Sequence, residues 1–185
     1  MSLIIEWVIK GDVEEVRKYI QQGGDINIKS KYNCTPLMLA AALGNTMIAK
    51  LLLENGAHME ARDNREWTAL MISARWGHTE IIKLLLDNGA DVGSICTLGY
   101  TALILSVTIG YPENVKIFLE HGAEVEARGE HNWSALDIAS NLRDPDMLKV
   151  LEDGIERRKH LKMARYTFLR HTNFYLAQEI AVRFN

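Results

Sequence analysis

The sequence predicts an all-α solenoid built from stacked pairs of short helices, and two periodic signals carry that prediction. The first is a six-residue segment, written TPLMLA, TALMIS, TALILS and SALDIA, that starts at Thr35, Thr68, Thr101 and Ser134. The second is a glycine that keeps the same interval of 33 residues, at Gly11, Gly44, Gly77 and Gly110. A helix pair of this size cannot bury its own apolar stripe, so consecutive units must stack on one another.

The first helix of each unit is predicted to start at the Thr or Ser that opens the segment. A hydroxyl there can accept a free N–H of the first turn, and Pro36 suits the first helical position, where a missing N–H leaves nothing unpaired. Small residues such as Ala40 and Ala74 let a neighbouring helix approach closely. The helix then runs for about nine residues and stops at the recurring glycine.

The second helix carries apolar residues at helical spacing, such as Ile81 and Leu85. It is predicted to end at Asn-Gly or His-Gly, where Gly56, Gly89 and Gly122 can adopt the left-handed conformation that closes a helix. A polar loop of about a dozen residues follows and leads to the next unit.

These residues closely resemble the ankyrin repeat, whose 33-residue period and T-P-L-H-x-A opening match Thr35 to Ala40 except at the fourth place. The resemblance implies helix-turn-helix units joined by β-turn fingers, over a repeat domain of residues 2–154. Its predicted parts are a partial N-terminal capping repeat, 2–30, and the repeats 31–62, 63–95, 96–128 and 129–154.

The main departure from the family pattern is the loss of the His in the opening segment. Its place is taken by Met38, Met71, Ile104 and Asp137. We therefore expect the hydrogen bonds that this His makes with neighbouring loops to be absent.

Residues 155–185 lie outside the repeat and differ from it in charge. They hold seven Lys or Arg against two acids, a net +5, which leaves the first 154 residues at −8. Apolar residues recur in this segment at helical spacing, as at Leu161, Ala164 and Phe168. The segment is predicted to form one or two basic amphipathic helices that cap the last repeat.

Motifs for catalysis and cofactor binding are missing from the sequence. It contains no phosphate-binding GxxxxGK[ST], no HExxH, no GxGxxG and no GxSxG, so we expect neither an enzyme nor a cofactor nor a small-molecule substrate. Cys34 and Cys96 are too few for a paired-cysteine zinc site or a disulfide framework, and the six His are scattered. No metal site is predicted. A formal charge of −3 and a pI near 6.1 exclude a uniformly basic nucleic-acid binder.

Candidate binding residues follow from the repeat register. In ankyrin proteins the finger tips and the exposed side of the first helices form a concave groove, and the resemblance implies the same here. Residues at those positions include the Trp, Tyr and Arg types that are enriched in interface hot spots. The predicted partner-binding residues are Tyr32, Arg65, Trp67, Arg75, Trp76, Leu98, Tyr100, Ile109, His131 and Trp133.

Two points about this surface stay open at the level of sequence. Trp67 and Trp133 could instead pack over their own loops and shield the finger backbone. The basic residues predicted near the groove favour a partner that presents acidic or aromatic groups. These basic residues are Lys29, Lys31, Arg62, Arg65, Arg75 and Arg128.

The sequence thus predicts a non-enzymatic protein–protein interaction module, acting as an adaptor, scaffold or inhibitor. The alternative is recruitment to an anionic membrane or nucleic acid through the basic residues of 157–170, which we consider less favoured than a capping role. No secretory signal and no membrane span is recognised, and the two thiols fit a cytoplasmic location.

Overall fold

We describe the protein from a computed structural model, in which residues 2–129, 132–160 and 163 are described. The chain divides into two compact units, Met1–Leu151 and Glu152–Asn185. In the second unit, residues 152–160 and Met163 are helical. Most of the predicted basic cap, 155–185, therefore lies outside the described residues.

The first unit is a succession of short helices. In chain order they are α1 Leu3–Lys10, α2 Val13–Gln21, α3 Pro36–Leu43, α4 Thr46–Glu54, α5 Ala69–Trp76, α6 Thr79–Asp87, α7 Ala102–Ile109, α8 Pro112–Glu120, α9 Ala135–Leu142 and the first residues, 145–151, of a tenth helix, α10. No strand occurs among the described residues, and no helix there is long and apolar enough to cross a membrane.

The helices form two layers, because each helix packs against its counterpart one repeat away. The odd-numbered helices α1, α3, α5, α7 and α9 make one layer, and α2, α4, α6 and α8 make the other. Contacts within the odd-numbered layer are more extensive than those within the even-numbered layer. The prediction of an all-α solenoid is confirmed.

Each odd-numbered helix after α1 begins with the predicted hydroxyl cap. The side chains of Thr35, Thr68, Thr101 and Ser134 each accept a hydrogen bond from the backbone N–H three residues later. Such a cap is worth about 1 kcal/mol of stability. The recurring segment is therefore a helix start, as its residue types indicate.

Buried apolar side chains take the place of the family's His in three repeats, and an Asp takes it in the last. Met38, Met71 and Ile104 are at most 1% exposed, and the Met38 sulfur accepts the Thr35 N–H at 3.4 Å. In the last repeat, Asp137 accepts hydrogen bonds from both the N–H and the hydroxyl of Ser134, at 2.9 and 2.7 Å. These hydrogen bonds lower the pKa of Asp137, the Ser134 hydroxyl most of all, with a smaller effect of Arg128.

The glycine between the paired helices also joins consecutive repeats. Gly77 has φ 73°, and a Cβ added to it would lie 2.7 Å from the Tyr111 ring of the next repeat. Gly44 has the same relation to the His78 ring, at 2.8 Å, and His78 Nε2 lies 3.1 Å from the carbonyl oxygen of Ala42. The missing side chain is thus required both for the left-handed backbone and for the close approach of a ring.

Candidate partner-binding groove

The loops that precede the odd-numbered helices α3, α5, α7 and α9 form tight turns, which we call fingers. They are residues 30–34, 63–67, 96–100 and 129–133, of which 130 and 131 lie outside the described residues. In each finger the N–H of the first residue donates to the carbonyl of the last, at 3.0 to 3.1 Å. The fourth residue has a left-handed backbone in all of them: Asn33, Glu66, Gly99 and Asn132. The same turn forms although its residues differ between repeats.

Hydrogen bonds between fingers hold neighbouring tips in place. Asn64 donates its backbone N–H to the Tyr32 carbonyl at 3.2 Å, and the Asn33 side-chain amide donates to Asn64 Oδ1 at 2.7 Å. One repeat further, the backbone N–H and hydroxyl of Thr97 both donate to the Arg65 carbonyl, at 3.2 and 2.9 Å. The side chains at the tips are therefore presented from a fixed backbone.

A cavity of about 590 Å³ lies between the fingers and helices of three successive repeats, and we call it the groove. Pockets that bind small ligands in other proteins have volumes of about 300–1,000 Å³. Its lining residues are Tyr32, Cys34, Asp63, Asn64, Arg65, Trp67, Ile72, Arg75, Trp76, Leu98, Tyr100, Leu105 and Thr108.

Most of the residues predicted from the sequence come together in this groove. They are Tyr32, Arg65, Trp67, Arg75, Trp76, Leu98 and Tyr100. Ile109 and Trp133 are exposed, at 38% and 41%, but do not line it. His131 lies outside the described residues, so its predicted role stays a prediction.

Trp67 and Trp76 play different parts in the groove. Trp67 is half-buried, and the Arg75 guanidinium carbon lies 5.9 Å from its ring centroid, which is the geometry of a cation–π contact. Trp76 is the more accessible of the two, with 57% of its surface exposed at the last position of α5. Trp67 thus forms part of the groove wall, and Trp76 stands at its rim.

An apolar row continues from Trp76 along the ends of the odd-numbered helices. The last residue of each of the helices α3, α5, α7 and α9 is apolar and exposed, whereas the equivalent residue of α1 is a lysine: the four are Leu43, Trp76, Ile109 and Leu142. We call this set the edge row. Patches of exposed apolar side chains mark interaction sites in many proteins.

Of the six basic residues predicted near the groove, only two line it. Arg62 donates to the Ile95 carbonyl at 2.9 Å, and Arg128 donates to the Asn132 carbonyl at 2.6 Å, so both act within the fold. Arg65 and Arg75 line the groove, and neither forms an ion pair within the part of the chain that the structure describes. Arg65 and Arg75 are thus the cations of the groove lining itself.

The remaining polar groups of the groove offer little chemistry. Asp63 Oδ1 accepts the backbone N–H groups of Arg65 and Trp67, at 2.8 and 2.9 Å. Burial, and secondarily the charge of Asp63, raises the pKa of the Cys34 thiol, which keeps it protonated at neutral pH and a weak nucleophile. Among the described residues, no group of His, Cys, Asp and Glu side chains is placed to hold a metal ion.

Comparison with known families bears on the whole repeat region. A family model described as ankyrin repeats (3 copies) matches residues 4–96, about half of the chain, and a second, ankyrin repeats (many copies), matches residues 85–139. The chain belongs to the ankyrin repeat family. Ankyrin repeats are generally protein–protein interaction modules.

One curated relative is similar over a shorter stretch. The ankyrin repeat protein FPV222 of fowlpox virus (strain NVSL) is 40% identical to this ankyrin repeat chain over 57 residues. That stretch is 31% of this chain and 8% of the viral protein. The match therefore covers only a small part of the viral protein's length.

Several groove residues were absent from the predicted set. They are Cys34, Asp63, Asn64, Ile72, Leu105 and Thr108. The repeat register contains a signal for some of them, since Cys34 holds the place of Trp67 and Tyr100, and Thr108 holds that of Arg75. Ile72 and Leu105 also occupy equivalent places, but their apolar type predicts burial in the core.

The alternative function, recruitment to an anionic membrane or nucleic acid, depends on the basic segment 157–170, of which the structure describes only residues 157–160 and 163. Residues 157–160 are helical, and Lys159 pairs with Glu156 at 2.9 Å. Most of the segment lies outside the described residues. Recruitment to a membrane or nucleic acid stays a prediction from the sequence.

Proposed function

We propose that this ankyrin repeat protein is a non-enzymatic module that binds a partner protein in the groove, as an adaptor, scaffold or inhibitor. The observation that carries the proposal is the convergence of exposed Tyr32, Trp76 and Arg65 around a single cavity. Tyr, Trp and Arg dominate the hot spots of protein interfaces because they combine a large contact area with polar groups. A partner that covers them buries apolar surface which otherwise faces water.

The mechanism is recognition by a preformed surface. The finger hydrogen bonds fix the backbones of Tyr32 and Arg65, so little ordering entropy is lost when a partner binds. The edge row extends the contact surface beyond the groove to Leu142. Helices pack about 10 Å apart, so four repeats offer a contact length of about 30 Å.

The two free thiols bear on the cellular compartment in which the protein acts. Cys34 and Cys96 are both unpaired, and Cys96 is buried. Unpaired thiols are the rule in reducing compartments, where disulfides rarely persist. We propose that the module acts in the cytoplasm.

The experiment compares proteins captured by the wild type with those captured by Trp67→Ala and Trp76→Ala. We expect each substitution to preserve the far-UV circular dichroism and to weaken partner binding by more than about 1 kcal/mol. Met47→Ala is the matched control, because Met47 is 63% exposed on α4 and does not line the groove.

The informative partners are those retained by the wild type and by Met47→Ala. If both Trp variants bind these partners with unchanged affinity, the groove is not the binding site.

A further inference from the structure

The groove combines unpaired positive charge with apolar rings, and this combination restricts what can bind. Its charged lining residues are Arg65, Arg75 and Asp63, a formal net charge of +1. One Asp63 oxygen is already used by two backbone N–H groups. The two guanidinium groups are the charged hydrogen-bond donors of the groove lining.

Each guanidinium is placed to receive a carboxylate. Arg75 lies against the Trp67 ring, an arrangement that orders the side chain while its N–H groups stay available. Arg65 is exposed at a finger tip whose backbone is fixed on both sides, by Asp63 and by Thr97. A guanidinium binds a carboxylate through two parallel hydrogen bonds, which a neutral or basic group cannot reproduce.

The apolar partners of these cations are on both sides of the groove. Leu98 and Tyr32 lie on the fingers, exposed at 49% and 60%, and Trp76 lies at the last position of helix α5. A bulky apolar side chain beside the carboxylate would lie between these two walls. The same site disfavours a basic segment, because Arg65 and Arg75 would then face like charge.

The length of the groove indicates an extended segment of chain. It reaches from the first finger at Tyr32 to the third at Tyr100, two repeat spacings apart. With helices about 10 Å apart that distance is about 20 Å, which about six extended residues span.

We infer that the groove binds an extended segment of about six residues in a partner protein, in which an Asp or Glu adjoins a bulky apolar side chain. This inference rests on the proposed function and specifies the chemistry that the groove selects. The repeat unit around the groove is acidic overall, but exposed charges are screened beyond about 8 Å at physiological salt. The preference for an acidic segment therefore depends on the charges in the groove itself.

The test is selection of six-residue peptides from a randomised displayed library on the full chain, followed by fluorescence polarisation with the enriched peptides. We expect enrichment of Asp or Glu next to Trp, Phe or Leu. The double variant Arg65→Glu/Arg75→Glu should bind these peptides at least about tenfold more weakly, since a charge pair becomes a repulsion.

The matched control is Lys50→Glu/Lys83→Glu, which changes the net charge equally. Both lysines are exposed on even-numbered helices, α4 and α6, and neither lines the groove. We expect this control to bind the enriched peptides within about twofold of the wild type, because distant surface charges act weakly. Thermal unfolding of both double variants shows whether they are folded.

Three results would overturn the inference. They are failure to enrich any peptide, enrichment without an acidic excess, and acidic peptides that bind Arg65→Glu/Arg75→Glu as tightly as the wild type. The proposed function is tested separately by Trp76→Ala. Peptides that need Trp76 but lack acidic residues would retain the groove as a binding site, whereas peptides indifferent to Trp76 would remove it.

Discussion

The glycine between paired helices packs against a ring of the next repeat, and we predict that this contact joins the two repeats. Gly77 and Gly110 both have a left-handed backbone, with φ of 73° and 88°. An added Cβ at Gly77 would lie 2.7 to 3.0 Å from atoms of the Tyr111 ring, whereas one at Gly110 would meet nothing within 4 Å. Comparing alanine substitutions at these two glycines therefore separates the cost of backbone strain from the cost of the steric clash with the ring.

The expected magnitudes follow from these distances. Alanine in a left-handed conformation costs about 1–2 kcal/mol, partly offset by a less flexible unfolded chain, so Gly110→Ala should lower the free energy of unfolding by about 1 kcal/mol. Carbon atoms normally approach to about 3.5–4.0 Å, so at Gly77 the Tyr111 ring must move by about 1 Å. Overpacking of this kind adds about 1–3 kcal/mol, which makes Gly77→Ala cost about 2–4 kcal/mol.

Urea unfolding followed by far-UV circular dichroism measures both variants. In a Tyr111→Ala background the cost of Gly77→Ala should fall to about 1 kcal/mol, because the ring no longer occupies the space. Equal costs for Gly77→Ala and Gly110→Ala, or no relief in that background, would refute ring packing against Gly77 as a link between repeats.

Two further predictions concern side chains that stabilise the fold. Arg62→Ala removes a 2.9 Å hydrogen bond to the Ile95 carbonyl of the next repeat and should lower the free energy of unfolding by about 0.5–1.5 kcal/mol. This is less than a fully buried charged hydrogen bond contributes, because the Arg62 side chain is partly exposed. Lys83→Ala, measured by the same urea titration, should stay within about 0.5 kcal/mol of the wild type, and equal losses would contradict the assignment. Asp137 has a lowered pKa in the folded protein, so its stabilising effect is complete above its unfolded pKa of about 3.9 and is lost as pH falls through the lower folded value. The stability difference between wild type and Asp137→Asn, from urea midpoints across pH 2 to 6, should therefore shrink toward acid pH; a difference that grows there would be the contrary result.

The helices were predictable because their signals are local. A hydroxyl cap at Thr68 and a glycine at Gly77 bracket α5, and both act through the backbone within a few residues of their own position. The 33-residue interval and the residue types at these positions together predict the helix boundaries closely. The left-handed residues of the fingers were harder to predict, because Asn33 is of a type that tolerates this backbone whereas Glu66 is not, and at Glu66 the surrounding turn imposes it.

The groove was predictable only in part, because its extent depends on distances across repeats. The register places Trp67, Tyr100 and Trp133 at equivalent positions, yet Trp133 does not line the groove. Likewise Arg62 and Arg65 look alike in the sequence, but Arg62 reaches the Ile95 carbonyl and Arg65 does not pair with an acid among the described residues. Which long side chain finds an internal acceptor is decided by the packing of the next repeat.

The most direct test of the central claim uses the four tryptophans as reporters. Fluorine NMR of the 5-fluorotryptophan-labelled protein, assigned with single Trp→Phe variants, follows each indole as partner or selected peptide is added. Trp67 and Trp76 line the groove, whereas Trp7 packs against Tyr19 in the first repeat, with ring centroids 5.8 Å apart. Binding in the groove should shift the Trp67 and Trp76 resonances and leave Trp7 in place. A saturable shift of Trp7 with unchanged Trp67 and Trp76 would contradict the claim that this groove is where the protein binds.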